Sequence, residues 1–314
     1  MTKRPCYNNY IMYELMIIGA GPAGLSAAVY AARKQLNTLL LSSDIGGQIN
    51  WTMGIENYLG YQFITATELI TKFHEQINQF PIDQKTSEKV VSVSQIEDGF
   101  EATTESGEKY RARVVVFATG KKSRRLEVPG ETEFTGKGVT YCSICDGPLF
   151  AGQSVAVVGG GNSAVQAALD MVKIATKVTV ISLTKLTADP ILVNKLLQEK
   201  NLDIYIEYRV TNIEGQQFVK KLTMEDIKSK KTRELDVGGI FIEIGLVPNS
   251  EAVKELVKLN GTGEVPVSCT GDTGVPGFFA AGDVTDVPEK QILIAAGEGA
   301  KAALRAHRYL QRIT

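Results

Sequence analysis

The stretch Glu14-Leu-Met-Ile-Ile18 runs straight into Gly19-Ala-Gly-Pro-Ala-Gly24 and then into the alanine-rich Leu25 to Arg33. An apolar run of strand length, a glycine turn and a helix-forming segment, in that order, specify a strand–turn–helix unit. Gly19 permits the tight turn, Gly21 lets a pyrophosphate approach the backbone, and Gly24 lets helix and strand pack closely. The helix opening at Pro22-Ala23 then offers free amides and a partial positive charge to phosphate. A glycine turn kept for packing alone is the alternative. The flanking strand and helix favour a dinucleotide site over it.

The pattern returns further along. Ser154-Val-Ala-Val-Val158 leads into Gly159-Gly-Gly-Asn-Ser-Ala164 and the helical Val165 to Val172. Two copies of one supersecondary unit imply an α/β protein with two Rossmann-like dinucleotide-binding domains. Val114 to Phe117, ending in Ala118-Thr-Gly120, reads as a buried strand, and so does Gly239 to Gly245. Between them stand the second glycine turn and strands at Lys177 to Ser182 and Leu202 to Glu207. The simplest parse makes 1–118 and 246–314 one discontinuous domain with 119–245 inserted into it. Gly277-Phe-Phe-Ala-Ala281 reads as a late strand, and Gln291 to Leu310 as a long helix.

The 314 residues suffice for two cores, and 44% hydrophobic with 22% charged residues is ordinary globular composition. A net charge of -1 argues against a broad nucleic-acid footprint. No apolar run approaches a membrane span, and the polar first thirteen residues do not read as a secretion signal. The four cysteines, Cys6, Cys142, Cys145 and Cys269, are too sparse for a secreted disulfide framework. A cytoplasmic protein bound to neither nucleic acid nor membrane is expected.

Cys142-Ser-Ile-Cys145 has three readings. Half a zinc site lacks its second half, since His74 and His307 are isolated, so no metal is expected. Structural cysteines are the second reading. The leading one is a dithiol/disulfide couple, in which one sulfur attacks and the other resolves. Asp146 beside the pair suits the proton transfers of thiolate chemistry. Asp283 at the end of the late strand faces either a cofactor or merely a turn. Cys6, Cys269, His74 and His307 read as bystanders, and Lys121, Lys122, Arg124 and Arg125 as a solvated basic face.

These strings, with Gly46-Gly-Gln48, Ile55-Glu-Asn57, Ala118-Thr-Gly120, Ala280-Ala-Gly-Asp283 and Lys290-Gln-Ile292, resemble the low-molecular-weight thioredoxin reductases. They also resemble the reductase-like half of the alkyl hydroperoxide reductase flavoprotein. The resemblance implies an enzyme with one FAD per subunit. FAD would be held by Gly19, Gly21, Pro22, Ala23, Gly24, Gly47, Gln48, Asn57, Thr119, Gly120, Gly282, Asp283, Lys290, Gln291 and Ile292. It further implies that Cys145 exchanges with the flavin, that Cys142 attacks a thioredoxin-like protein disulfide, that Asp146 serves as acid/base, and that the enzyme is a homodimer.

One departure matters. NADPH-dependent members of the family carry an arginine cluster after the second strand of the inserted domain, where this chain has Ile181-Ser-Leu-Thr-Lys-Leu-Thr187. Only Lys185 is charged, and Ser182 stands where an NADH-binding acid would be. The cradle of Gly159, Gly161, Asn162, Ser163 and Ala164 persists and suits a nucleotide or a second ligand. NADPH is therefore expected to be a poor donor, with ferredoxin, a second flavin or weakly used NADH in its place. Electron supply to a peroxidase system, and a non-catalytic redox sensor or scaffold, are the competing functions. A ferredoxin–NADP reductase on this fold would lack the cysteine pair.

Overall fold

A parallel strand buried on both faces needs apolar side chains at every position, and Leu15-Met-Ile-Ile18 supplies them. The computed structural model describes residues 11–52 and 54–313; Cys6 lies outside them. Met12–Ala20 sits inside a seven-stranded sheet, parallel to Thr38–Ile45 on one side and to Lys109–Phe117 on the other. Ile17 stands opposite Leu40 and Val116. Asp83–Thr86 extends the sheet beyond Thr38–Ile45. The late strand Phe278–Ala280 pairs in parallel with Lys109–Phe117.

Because side chains alternate along a strand, the two faces build separate cores. Leu15, Ile17, Leu40, Val114, Val116 and Phe279 pack on the alanines of the helices Pro22–Arg33 and Ile292–Ile313. Met16, Ile18, Leu39, Leu41, Val115, Phe117 and Phe278 pack on the other face with Phe100, Val253 and Val257. The two helices lie in close contact, since a Cβ built on Gly299 would stand 1.8 Å from the carbonyl oxygen of Ala23.

The chain divides into two compact units. Among the described residues the first comprises those up to Asn50, Thr67–Lys122 and those from Val247; the second comprises Trp51–Ala66 and Ser123–Leu246. The chain passes between the units at Lys122/Ser123 and at Leu246/Val247. The stretch Trp51–Ala66, expected in the first domain, groups with the second. It carries a small antiparallel pair, Gly54–Ile55 with Ile64–Thr65.

The second unit has an all-parallel five-stranded sheet in the order Val139–Thr140, Gly239–Ile242, Ser154–Val158, Lys177–Ser182, Leu202–Ile206. Strand Gly239–Ile242 stops short of the expected Gly245, and Leu246–Pro248 follows as a separate strand paired with Lys121–Ser123. A three-stranded antiparallel sheet, Tyr208–Gly215, Val219–Asp226 and Thr232–Asp236, completes the unit.

Gly299→Ala tests the helix contact. Alanine for glycine in a helix interior normally stabilises by roughly 1 kcal/mol. Here the added methyl meets backbone, and overpacking of this kind costs about 1–3 kcal/mol. Thermal unfolding should show a lowered midpoint; a raised one would mean that the two helices separate freely.

Candidate functional site

The first glycine turn is held by backbone contact. Gly19 has φ +108°, and a Cβ there would lie 2.3 Å from the carbonyl oxygen of Ala118. Gly24 is equally confined, its Cβ position 1.7 Å from the Gly19 oxygen. Gly21 is the opposite case: a Cβ would meet nothing within 4 Å. It is the N-cap of the helix Pro22–Arg33, with no side chain capping it. Open space before uncapped amides is what a pyrophosphate requires.

Around this turn the same unit gathers several expected residues. The Gln48 side-chain amide donates to Asp283 Oδ2 at 3.0 Å. Gly282 has φ +75° and lies against the Ala23 methyl. Burial pushes the Asp283 carboxyl up, against the opposing charges of Lys290 and Lys121 and the Gln48 hydrogen bond. Lys290 Nζ donates to the Thr285 carbonyl at 2.7 Å, and Ile292 opens the C-terminal helix just after Gln291. Thr119 Oγ1 donates to the Asn249 carbonyl at 2.8 Å, and a Cβ on Gly120 would meet nothing within 4 Å. Gly47 has φ +58°, its Cβ position 3.4 Å from the Gly21 Cα. Asn57 lies on Trp51–Ala66, in the second unit.

The second turn repeats the construction. A Cβ on Gly159 would stand 2.3 Å from the Glu243 carbonyl oxygen, and one on Gly161 would meet nothing within 4 Å. Gly161 caps the helix Asn162–Met171 without a side-chain hydrogen bond. Ser182 is buried, its hydroxyl 2.4 Å from a Cβ placed on Gly160. The segment after it folds back: Thr187 N–H donates to the Gly160 carbonyl at 2.7 Å. Asn162 donates to the Asp189 carboxylate at 3.2 Å and accepts the Asp189 N–H at 2.7 Å.

In the same unit Cys142 and Cys145 form a disulfide with Cα atoms 5.3 Å apart. The pair brackets the short helix Ser143–Asp146, and Cys142 Sγ accepts the Cys145 N–H at 3.2 Å. Asp146 is buried and accepts hydroxyl hydrogen bonds from Thr52 and Thr140. Burial raises its carboxyl above the ordinary range, and the two hydroxyls oppose the rise. Glu243, at the end of its strand, accepts the Ser143 N–H at 3.3 Å.

The family pattern of pyridine nucleotide-disulphide oxidoreductases matches residues 13–301. The chain belongs to that family. It is 37% identical to a thioredoxin reductase from Streptococcus pyogenes, covering 96% of this chain and 99% of that one, with a TM-score of 0.91. A thioredoxin reductase from Giardia duodenalis is 32% identical over 96% and 99% of the two chains, with a TM-score of 0.88. A component of the alkyl hydroperoxide reductase of Staphylococcus aureus is 40% identical over 98% of this chain but 61% of its own length. The chain therefore spans about three fifths of that relative. Fold class and family agree with the two-turn reading.

One expectation is corrected. Lys121 is no part of a solvated face: its side chain is 9% exposed and paired with Glu264. Burial alone would raise the Glu264 carboxyl, but hydrogen bonds from Lys121, Asn260 and Thr262 outweigh it and hold it at about 2. Arg125 is engaged too, its guanidinium 5.0 Å from the Trp51 ring centre. Cys269 is a free, exposed thiol. Asp189 and Glu243 belong to no sequence motif. Each needs a partner distant in the chain to acquire its place.

Asp146 carries a pH-dependent expectation. A carboxyl raised above its unfolded value of 3.8 destabilises the fold above that value, because the folded chain must bury the charged form. Asp146→Asn removes that cost and keeps the shape. In the oxidised protein its unfolding midpoint should exceed the parent's at pH 7.5, with the gap closing as pH falls toward 4. A constant gap across that range would show that burial of charge is not the cause.

Proposed function

We propose that the chain is an FAD-dependent enzyme that reduces a thioredoxin-like protein disulfide through Cys142 and Cys145. The observation that carries the reading is the Cys142–Cys145 disulfide flanking the buried Asp146, in a family of disulfide oxidoreductases.

The uncapped first turn fits FAD. Gly19, Gly21, Pro22, Ala23 and Gly24 would take the pyrophosphate, and Gln48, Asn57, Thr119, Gly120, Gly282, Asp283, Lys290, Gln291 and Ile292 would surround the rest. FAD, when bound, supplies a two-electron carrier. The chain's residues handle sulfur and protons. Two electrons and two protons open the Cys142–Cys145 bond to two thiols. The Cys145 N–H aimed at Cys142 Sγ favours the thiolate there, which makes Cys142 the attacking sulfur. It bonds to one sulfur of the target disulfide while the other leaves and takes a proton. Cys145 then displaces the target as a dithiol and restores the disulfide. Asp146 is the proton carrier for these steps.

The donor follows from the second turn. Specific recognition of a 2′-phosphate usually needs arginine forks. Two lost charged hydrogen bonds weaken binding by about 3–6 kcal/mol, on the order of a hundred- to ten-thousand-fold. Asn162 moreover holds the Asp189 carboxylate beside this turn, where it repels a second anion. A ferredoxin-type protein, a second flavin or, weakly, NADH is the donor in this reading. A cytoplasmic homodimer completes it. The alkyl hydroperoxide reductase relatives favour a second reading, electron supply to a peroxide-reducing protein.

Anaerobic stopped-flow reduction with NADPH, NADH and reduced ferredoxin, followed by mixing with a thioredoxin or a peroxidase disulfide, tests both halves. Reduction should be slow and non-saturating with micromolar NADPH, and reoxidation by the protein disulfide fast. Saturable bleaching by micromolar NADPH would contradict the donor assignment. Failure of every protein disulfide to reoxidise the enzyme would contradict the activity.

A further inference from the structure

Glu243 stands where two functional elements of the second unit meet. Its backbone oxygen is the group against which Gly159 turns, and its N–H donates to the Val158 carbonyl at 2.8 Å. Its carboxylate accepts the Ser143 N–H at 3.3 Å, which belongs to the peptide bond leaving Cys142. It is also hydrogen-bonded to the hydroxyls of Ser143 and Ser163, the latter in the second glycine turn. The corresponding position of the first turn, packed in the same way on Gly19, is Ala118. A carboxyl is not needed for the turn itself.

We propose that Glu243 is a positioning residue of the redox pair, clasping the Ser143 turn to the second glycine loop and taking up a proton when the disulfide is reduced. The inference rests on the dithiol reading above. Burial pushes the Glu243 carboxyl up to about 7, against the three hydrogen bonds from Ser143 and Ser163. Among the described residues the groups acting on it are these uncharged serines. Asp146, the carboxyl on the redox helix itself, is hydrogen-bonded to Thr52 and Thr140.

With dithiothreitol as reductant the step balances. The reagent loses two electrons and two protons and closes to its cyclic disulfide. The Cys142–Cys145 bond breaks, one sulfur becomes a thiol, the other stays a thiolate, and the second proton goes to Glu243. The new thiolate lifts the Glu243 carboxyl further, so the reduced state binds more protons and rising pH through 7 disfavours reduction.

The test equilibrates wild type and Glu243→Gln with dithiothreitol redox buffers from pH 5.5 to 8.5 and counts Cys142 and Cys145 thiols by alkylation and mass. Below pH 6 the two proteins should share one reduction constant, because the glutamate is neutral. Above pH 7 the wild type should become harder to reduce, by on the order of tenfold at pH 8. Ser163→Ala removes a hydroxyl that favours the carboxylate, and should move the onset of divergence to higher pH. Curves that stay parallel or coincide at every pH, or an onset unmoved by Ser163→Ala, would overturn the proposal. A pair that dithiothreitol cannot open in any variant would overturn the dithiol reading itself.

Discussion

Both halves of the structure depend on one contact: the first glycine of each turn lies against a backbone carbonyl at the end of the next strand. Gly19 meets Ala118 and Gly159 meets Glu243, each with a Cβ position 2.3 Å from oxygen. No other residue type fits such an approach. The contact turns the chain sharply enough to aim a helix N-terminus at open space, and so leaves Gly21 and Gly161 with room before their amides. Uncapped N–H groups and the helix dipole suit such a space to a phosphate.

Around these turns the charges are arranged by burial. Asp146, Asp283 and Glu243 are each pushed up by loss of water, while Glu264 is held down by its hydrogen-bond partners, Lys121 foremost. A carboxyl whose proton is loosely held near neutral pH is useful beside sulfur chemistry, which moves protons with every electron pair. Glu243 is such a group, joined to the redox helix through Ser143, and Asp146, also raised by burial, is held there by threonine hydroxyls.

Much of the scaffold was legible because its determinants are local. The strand Lys177–Ser182 coincides with its apolar run, and Ser154–Val158 likewise. A dithiol/disulfide couple was the leading of three readings of Cys142-Ser-Ile-Cys145, and the two sulfurs are bonded. What escaped has non-local causes. The meander from Tyr208 to Asp236 has half-exposed strands that show no clean alternation. Trp51–Ala66 groups by contact with a unit remote in sequence. Lys121 read as surface charge because its partner, Glu264, lies far along the chain. Asp189 and Glu243 look like ordinary polar positions until Asn162, Ser143 and Ser163 are folded beside them.

In the function proposed above, a flavin and the Cys142–Cys145 pair form one electron-exchanging unit. Anaerobic reductive titration of the purified yellow protein, followed by its visible spectrum, tests it most directly. Wild type should absorb four electrons per protomer before bleaching is complete, and Cys142→Ser only two. Two electrons in both proteins would mean that the cysteines are structural, and a colourless protein would remove the flavin from the account.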